Sequence, residues 1–363
     1  MNRSIGRPVH ILCPGSIDQA TGGYAFLRRI VEGLRSRGEQ VTVHELPGPH
    51  PFADEEARLE ADAVTARIPD GSVVLVDGLA IPAAAHALWV DRHRLRVTAL
   101  AHHPLHLETG LDAERAGVLR QLESAVLANA RRVIVPSRAT ARDVAEMGVA
   151  EDRIAVVNPG TDRAEPAGAF DPADPKLLSL ATITPRKGHL TLVHALDACR
   201  DLPWHAVLAG SGTRDPAHAA AVRAAIADAG LQDRISLPGE VREPELSALW
   251  RGAALFLLPS HHEGYGMAAA EALVRGVPVV AGHAGALPEV VPAGAGALVP
   301  PGDVDALAAA LRRLLSSPDR LRAAAEAARE AGDALPGWAD SIDRLRSELA
   351  RAVPLDRRIE RIA

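Results

Sequence analysis

Two glutamates, Glu263 and Glu271, stand eight positions apart in the stretch Pro259-Ser260-His261-His262-Glu263-Gly264-Tyr265-Gly266-Met267-Ala268-Ala269-Ala270-Glu271-Ala272-Leu273. The apolar run Leu255-Phe256-Leu257-Leu258 precedes it and Gly276-Val277-Pro278-Val279-Val280 follows, so the order reads strand, loop, helix, strand. Gly264 and Gly266 give the strand exit a turn free of side chains. The alanines then start a helix whose first N–H groups and positive dipole end suit an anion, phosphate above all. Eight residues of helix span roughly 12 Å, so the two carboxylates could bracket a diphosphate. Glu263 would accept from sugar hydroxyls and Glu271 from a ribose diol, both through charge-assisted bonds. The expected contact set is Glu263, Gly264, Tyr265, Gly266, Met267, Ala268 and Glu271. Two glutamates at this spacing arise by chance in any chain; the weight rests on the surrounding pattern.

A cationic turn lies upstream. Leu180-Ala181-Thr182-Ile183-Thr184-Pro185-Arg186-Lys187-Gly188 leaves another apolar run and enters a helix through Leu190, Val193 and Leu196. A departing diphosphate gains negative charge, so a fixed cation there stabilises the transition state more than the ground state. Of the 40 basic residues only Lys176 and Lys187 are lysines, which makes a lysine in this turn conspicuous. Lys187 is the expected phosphate ligand, with Arg186 beside it; an ordinary solvated basic turn is the plain alternative.

The elements that must hold these loops follow from the hydrophobic pattern. At 363 residues the chain exceeds one ordinary core and suits two domains. Short runs apolar on both faces alternate with segments of helical period: Val9–Cys13, Val41–Val43, Val73–Val76, Val97–Leu100, Val133–Val135 and Ile154–Val157. Such runs suit parallel strands covered by helices on each side, and the alternation implies an α/β, doubly wound sheet. From Asn158 to Pro175 the pattern stops among prolines and glycines, which marks a boundary. It restarts with runs at 177–180, 206–208, 235–237, 255–258 and 278–280, and helices over 303–315 and 321–330. The domains are therefore placed at 1–165 and 172–340, with a helical segment in 341–363 that could pack back on the first. Two such domains facing each other would put their strand ends at a cleft, where open sheets bind ligands.

Composition excludes several classes. Asp and Glu number 46 against 40 Lys and Arg, a net charge of −6, which argues against a nucleic-acid partner. Cys13 and Cys199 cannot build a disulfide framework, so a reducing compartment is the default. No apolar stretch reaches a membrane span of roughly 18–20 residues; the closest, Val73–Val90, is broken by Asp77 and Pro82. The run after Arg7 is too short for a secretory leader. A soluble, cytoplasmic protein without an integral membrane segment is expected.

Two loops of the first half also carry candidates. Gly15–Tyr24 joins the first strand to the first helix, and Gly22-Gly23 at the helix start could approach a diphosphate. Ala101-His102-His103-Pro104 follows the fourth strand. A metal reading would join His102, His103 and His106, with His261 and His262, but neighbouring side chains at a strand end point apart and no H-E-x-x-H or Cys/His pattern accompanies them. No metal and no cofactor are expected. No second carboxylate near His102 is evident from the sequence. In the second half, Gly210-Ser211-Gly212 follows a strand but lacks the third glycine of a dinucleotide fingerprint, Asp215 standing there. Ser137 reads as a helix N-cap.

The segment from Glu263 to Glu271 resembles the E-x7-E signature of retaining glycosyltransferases of family 4, and the resemblance extends over nearly the whole chain, most strongly over 177–300. It implies the GT-B fold, two facing Rossmann-like domains: an N-terminal acceptor-binding domain and a C-terminal domain for the nucleotide sugar. It further implies that Glu263 contacts the donor sugar, Glu271 the ribose and Lys187 the phosphates, and that His102 hydrogen-bonds the hexose near the reacting carbon. Gly22 and Gly23 correspond to the family's N-terminal glycine-rich loop, with Gly23 in contact, and Gly210 to the base-pocket loop. Gly285–Val290 is similar to its Gly-x-Pro-Glu loop, which brings in Glu289. Many members carry an arginine five positions before the lysine; here that place is Thr182, a departure that leaves Arg186 or backbone N–H groups to supply the missing donors.

The implied activity is transfer of a hexose from a nucleoside diphosphate sugar to an acceptor hydroxyl with retention, at the front face and without metal. Uridine is taken as the donor base because it is common; guanosine stays open, as does the acceptor, whether small molecule, glycan or lipid. Rivals are a sugar phosphorylase or nucleotide-sugar epimerase on the same scaffold, a non-catalytic two-domain binding protein, and a nicotinamide oxidoreductase, the last disfavoured by the incomplete fingerprint.

Overall fold

The computed structural model describes residues 4–353 except 20 and 169. The chain forms two compact units, one from the residues up to Pro159 together with those from Trp338 onward, the other from Gly160–Gly337. The second unit thus starts at Gly160, against an expected first-domain end at 165 and second-domain start at 172, and ends at Gly337, against an expected 340.

The first unit runs β1 (Val9–Pro14), α1 (Gly22–Ser36), β2 (Val41–Leu46), α2 (Glu55–Arg67), β3 (Val73–Asp77), α3 (Ile81–Val90), β4 (Arg96–Leu100), α4 (Ala113–Asn129), β5 (Arg132–Val135), α5 (Arg138–Glu146) and β6 (Ile154–Val156). The second runs β7 (Lys176–Leu180), α6 (His189–Asp197), β8 (His205–Ala209), α7 (Pro216–Asp228), β9 (Ile235–Gly239), α8 (Glu245–Gly252), β10 (Ala253–Leu258), α9 (Met267–Val274), β11 (Val279–Gly282), α10 (Leu287–Val290), β12 (Gly296–Val299), α11 (Val304–Leu315) and α12 (Pro318–Asp333). The last helix, α13 (Trp338–Ala352), belongs to the first unit.

Each unit holds one six-stranded sheet, in the orders β2-β1-β3-β4-β5-β6 and β12-β11-β10-β7-β8-β9. Every pairing is parallel, Val9 standing opposite both Val41 and Val73, and Leu178 opposite Phe256. The central strands show why their sequences do not alternate: β3 and β10 are buried at every residue, covered on both faces. Strand order reverses between β1 and β3 in the first sheet and between β7 and β10 in the second. Ligands of open α/β sheets bind at such switch points, beyond the carboxyl ends of the strands.

Six helices carry a side-chain cap; α3, α8 and α10 carry none, and neither do the three that start at the switch points. Helices α2, α4, α5, α7, α11 and α12 each begin on an Asp or Ser whose side chain accepts a first-turn N–H, as Ser137 does from Thr140. Helices α1, α6 and α9, which follow β1, β7 and β10, have no side-chain cap. Gly188 and Gly266 occupy the cap positions of α6 and α9 with φ of 70° and 97°. Glycine adopts that left-handed conformation without steric cost, and it leaves the helix end open.

Helix α13 lays Ile342, Leu345 and Leu349 against the first unit. Gly33 of α1 lets it close in: a Cβ there would lie 2.6 Å from Ile342. Arg346 Nε donates to the buried Glu39 at 2.6 Å, Arg37 pairs with Asp343, and Arg132 pairs with Glu348, itself 3% exposed. Several arginines of the first unit thus serve its own structure: Arg28 donates to Ile17 O and Gln19 O, Arg35 to Val41 O, and Arg94 to Asp91 and Thr65 O. Among the described residues no helix is long and apolar enough to cross a membrane.

Candidate functional site

The loops after β7 and β10 flank the switch point of the second sheet, and they carry Lys187 and Glu263. Backbone contacts fix both. His261 N donates to Arg186 O at 2.7 Å, and Arg186 Nη1 donates to His262 O at 2.8 Å. Three glycines close around the same loop. A Cβ on Gly188 would lie 2.1 Å from Pro259 O, one on Gly282 2.2 Å from Ser260 O, and one on Gly285 2.1 Å from Glu263 O. Contacts that short do not exist, so only glycine fits. Ala286 N donates to Glu263 O at 2.8 Å, which completes the clamp.

Within this frame Lys187 Nζ donates to Glu263 Oε1 at 2.5 Å and Ser260 Oγ to the same oxygen at 2.7 Å, while Arg186 Nη1 stands 3.8 Å from Oε2. Burial alone would raise the Glu263 carboxyl. The charges of Lys187 and Arg186, with the bonds from Lys187 and Ser260, outweigh it and hold the group at about 2. Behind Lys187, burial together with the nearby His218 and Lys187 pushes the buried His189 down to about 4, so it stays neutral. At neutral pH the site therefore offers an ionised carboxylate locked to a cation.

Helix α9 opens immediately after. Gly266 caps it without a side chain, and the N–H groups of Met267 and Ala268 meet no acceptor among the described residues. Glu271 lies one turn further on, half-buried, and its carboxylate accepts no hydrogen bond among the described residues. Burial pushes it above the ordinary carboxylate range, partly offset by Arg275 and reinforced by Asp162. A desolvated acceptor of this kind gains from any hydroxyl that reaches it.

The remaining expected positions divide. Gly210 is held by close approach, since a Cβ there would lie 1.8 Å from Ala181 O and 3.1 Å from Thr182 N; the β7 and β8 exit loops touch through it. Gly264 sits in the β10–α9 turn beside Tyr265, which packs in the core with a hydroxyl that burial and Glu289 raise to about 12. Glu289 lies on the short helix α10. In the first unit Gly22 and Gly23 start α1, and Gly23 stands against the His102 ring, 3.7 Å from a hypothetical Cβ to Nε2. One expectation is corrected: His102 does have a carboxylate, Asp77, whose Oδ2 lies 2.8 Å from its Nε2. Ser260 and Asp77 are the two site residues that the sequence did not single out. Among the described residues no three His, Cys, Asp or Glu side chains gather as a metal site.

Comparison with known proteins bears on the family and the fold. A family model described as "Glycosyltransferase Family 4" matches residues 21–165, and one described as "Glycosyl transferases group 1" matches 161–331. The chain is 30% identical over 259 residues to an MMP α-(1→4)-mannosyltransferase of Mycolicibacterium hassiacum, covering 65% of this chain and 60% of that protein. It is 34% identical over 249 residues to a D-inositol 3-phosphate glycosyltransferase of Mycolicibacterium smegmatis, covering 64% and 55%. The match thus spans less than two thirds of these relatives' own length. Two solved structures share the fold. Sucrose-phosphate synthase of Thermosynechococcus elongatus superposes with a TM-score of 0.79 at 22% identity, over 95% of this chain and 98% of that one. Anabaena HepE, solved with UDP and glucose, gives 0.74 at 17% identity, over 95% and 99%. The chain belongs to the glycosyltransferases of family 4 and has their GT-B fold.

Proposed function

We propose that the protein is a retaining glycosyltransferase that moves a hexose from a nucleoside diphosphate sugar to an acceptor hydroxyl. The observation that carries the reading is the ionised Glu263, held by Lys187 and Ser260 beside the uncapped start of α9 at a sheet switch point. Lys187, Arg186 and the Met267 and Ala268 N–H groups take the diphosphate, Glu263 the sugar hydroxyls and Glu271 the ribose diol. His102, in the first unit, is a further candidate for binding a sugar hydroxyl.

The chemistry is one of positioning and electrostatics. The acceptor hydroxyl attacks the anomeric carbon on the face from which the phosphate leaves. The C–O bond to phosphate breaks, the new C–O bond forms, and the acceptor's proton passes to a phosphate oxygen. Lys187 and the helix end stabilise the charge that develops on the leaving group, so no metal is required for that purpose. A uridine donor is the first choice, supported by the HepE structure with UDP and glucose.

Calorimetric titration with UDP, GDP and ADP tests the donor site, since the correct nucleotide also stabilises the fold by mass action. Glu271→Gln should weaken that nucleotide by about 10- to 100-fold, the worth of a charge-assisted bond. Transfer from UDP-glucose is then followed by NMR, with D-inositol 3-phosphate as the first acceptor because several relatives are named for it. Retention of the anomeric configuration and dependence on Lys187 are expected. Binding of none of the three nucleotides would sink the reading, and phosphate-dependent release of a sugar phosphate would replace it with a phosphorylase.

A further inference from the structure

The His102 ring has one nitrogen already committed. Asp77 ends β3 and His102 follows the adjacent strand β4, which brings Asp77 Oδ2 to 2.8 Å from His102 Nε2. The other oxygen, Oδ1, accepts the Leu79 N–H at 2.9 Å, where Asp77 caps a short 3-10 turn over Gly78–Ala80. The Asp77 side chain is 5% exposed, and Gly23 and the edge-on ring of Phe26 border the imidazole. An ionised carboxylate only accepts hydrogen bonds. With both its oxygens so placed, the proton of the neutral imidazole belongs on Nε2, and Nδ1 is left with a lone pair.

We propose that Asp77 is the positioning residue of His102, fixing its imidazole in the Nε2–H tautomer so that Nδ1 accepts from a ligand hydroxyl and cannot donate. The placement of that hydroxyl on a transferred sugar rests on the function proposed above; the tautomer does not. Discrimination follows from the polarity. A hydroxyl reaching Nδ1 must donate, so a sugar with fluorine in place of that hydroxyl leaves two acceptors facing each other.

Asparagine at this position gives a specific test. In Asp77→Asn the amide oxygen must stay with the Leu79 N–H, because an NH2 group there would set donor against donor. The NH2 then faces His102 Nε2, which can only accept, and the proton moves to Nδ1, as it does when the buried aspartate of a Ser-His-Asp triad is replaced by asparagine. Asparagine also serves as a cap, so the turn is preserved. The experiment is 15N NMR of histidine-labelled protein through a pH titration, with His102→Gln identifying the resonances among the 15 histidines, alongside transfer kinetics. The wild type should show a protonated Nε2 and a bare Nδ1 in neutral His102, and Asp77→Asn the reverse. In the variant kcat should fall about 100-fold, as for a misplaced contact at the reacting centre, with nucleotide affinity unchanged. A wild-type Nδ1–H tautomer overturns the proposal even if the variant fails to fold, and so does a variant that keeps the proton on Nε2. An inverted tautomer with undiminished kcat overturns the positioning role. A wild type that transfers no sugar would sink only the function above, since the spectra decide the tautomer alone.

Discussion

Lys187 donates to Glu263 at 2.5 Å across 76 positions of chain, so the two residues expected to meet the phosphate and the sugar of one ligand are bound to each other before any ligand arrives. The bond has a cost and a use. A donor must share or displace Lys187, yet the carboxylate it meets is already ionised and oriented, with its value held at about 2.

Acid should reveal the pair. The folded value lies below the ordinary 4.5, so the stabilisation is complete above about pH 4.5 and is lost as pH falls toward 2. The shift corresponds to about 3 kcal/mol. Glu263→Gln should lose roughly that amount at neutral pH, and the gap to wild type should close on acidification. Urea unfolding at a series of pH values measures it; a gap that stays constant down to about pH 2 contradicts the linkage.

The glycine clamp predicts a graded cost. Gly285→Ala and Gly188→Ala each place a methyl 2.1 Å from a backbone carbonyl oxygen at positive φ. Each should destabilise by about 2–4 kcal/mol, the sum of overpacking and backbone strain. Gly230→Ala, also at positive φ but with nothing within 4 Å, should cost only about 1 kcal/mol. Thermal melts of the three variants provide the comparison, and equal losses would remove the clamp as the reason these positions are glycine.

Helix α13 depends on a buried ion pair. Glu348 is 3% exposed and pairs with Arg132 and Arg351. Arg132→Met should cost about 3–5 kcal/mol by leaving Glu348 buried with its main partner gone, whereas Arg132→Met with Glu348→Leu should recover most of it. A double variant no more stable than the single one would show that the charges themselves, rather than their pairing, are needed.

Glu123 should respond to pH in the opposite sense. It is wholly buried, Oε2 accepts the Leu105 N–H at 2.9 Å, and burial, only partly offset by that bond, raises its carboxyl to about 8. A raised value in the fold means stability that is full below about pH 4.5 and lost as pH rises toward 8. Glu123→Gln keeps the acceptor and never ionises. It should match wild type near pH 4.5 and exceed it by about 3–5 kcal/mol near pH 8. Denaturant midpoints across that range check the crossing, and a variant weaker than wild type at pH 8 would contradict it.

Much of the fold lies open in the sequence because buried parallel strands are nearly pure runs of Val, Ile and Leu. Those of β3 and β10 are unmistakable, and the Glu263 and Lys187 loops follow directly from them. β12 escapes because Gly296-Ala297-Leu298-Val299 is half small residues just after Pro292 and Gly294. The helix read over 321–330 starts at Pro318, where Ser317 caps it. The Asp77–His102 bond could not be read in advance: it depends on β3 lying next to β4, and adjacency of strands is a property of topology. In the sequence Asp77 is merely the residue that interrupts an apolar run. Gly282 and Gly285 are similar cases, because a glycine needed for close approach looks the same as one in a loose turn.

The return of α13 to the first unit has a consequence for biogenesis. The second unit is one unbroken segment, whereas the first lacks the helix covering α1, β4 and β5 until the segment after Gly337 has been made. Domains ordinarily mature in the order of translation, and here that order should invert. Chains stalled with Gly337 outside the ribosome and α13 still inside should yield a protease-resistant fragment from the second unit alone, the first remaining digestible until α13 emerges.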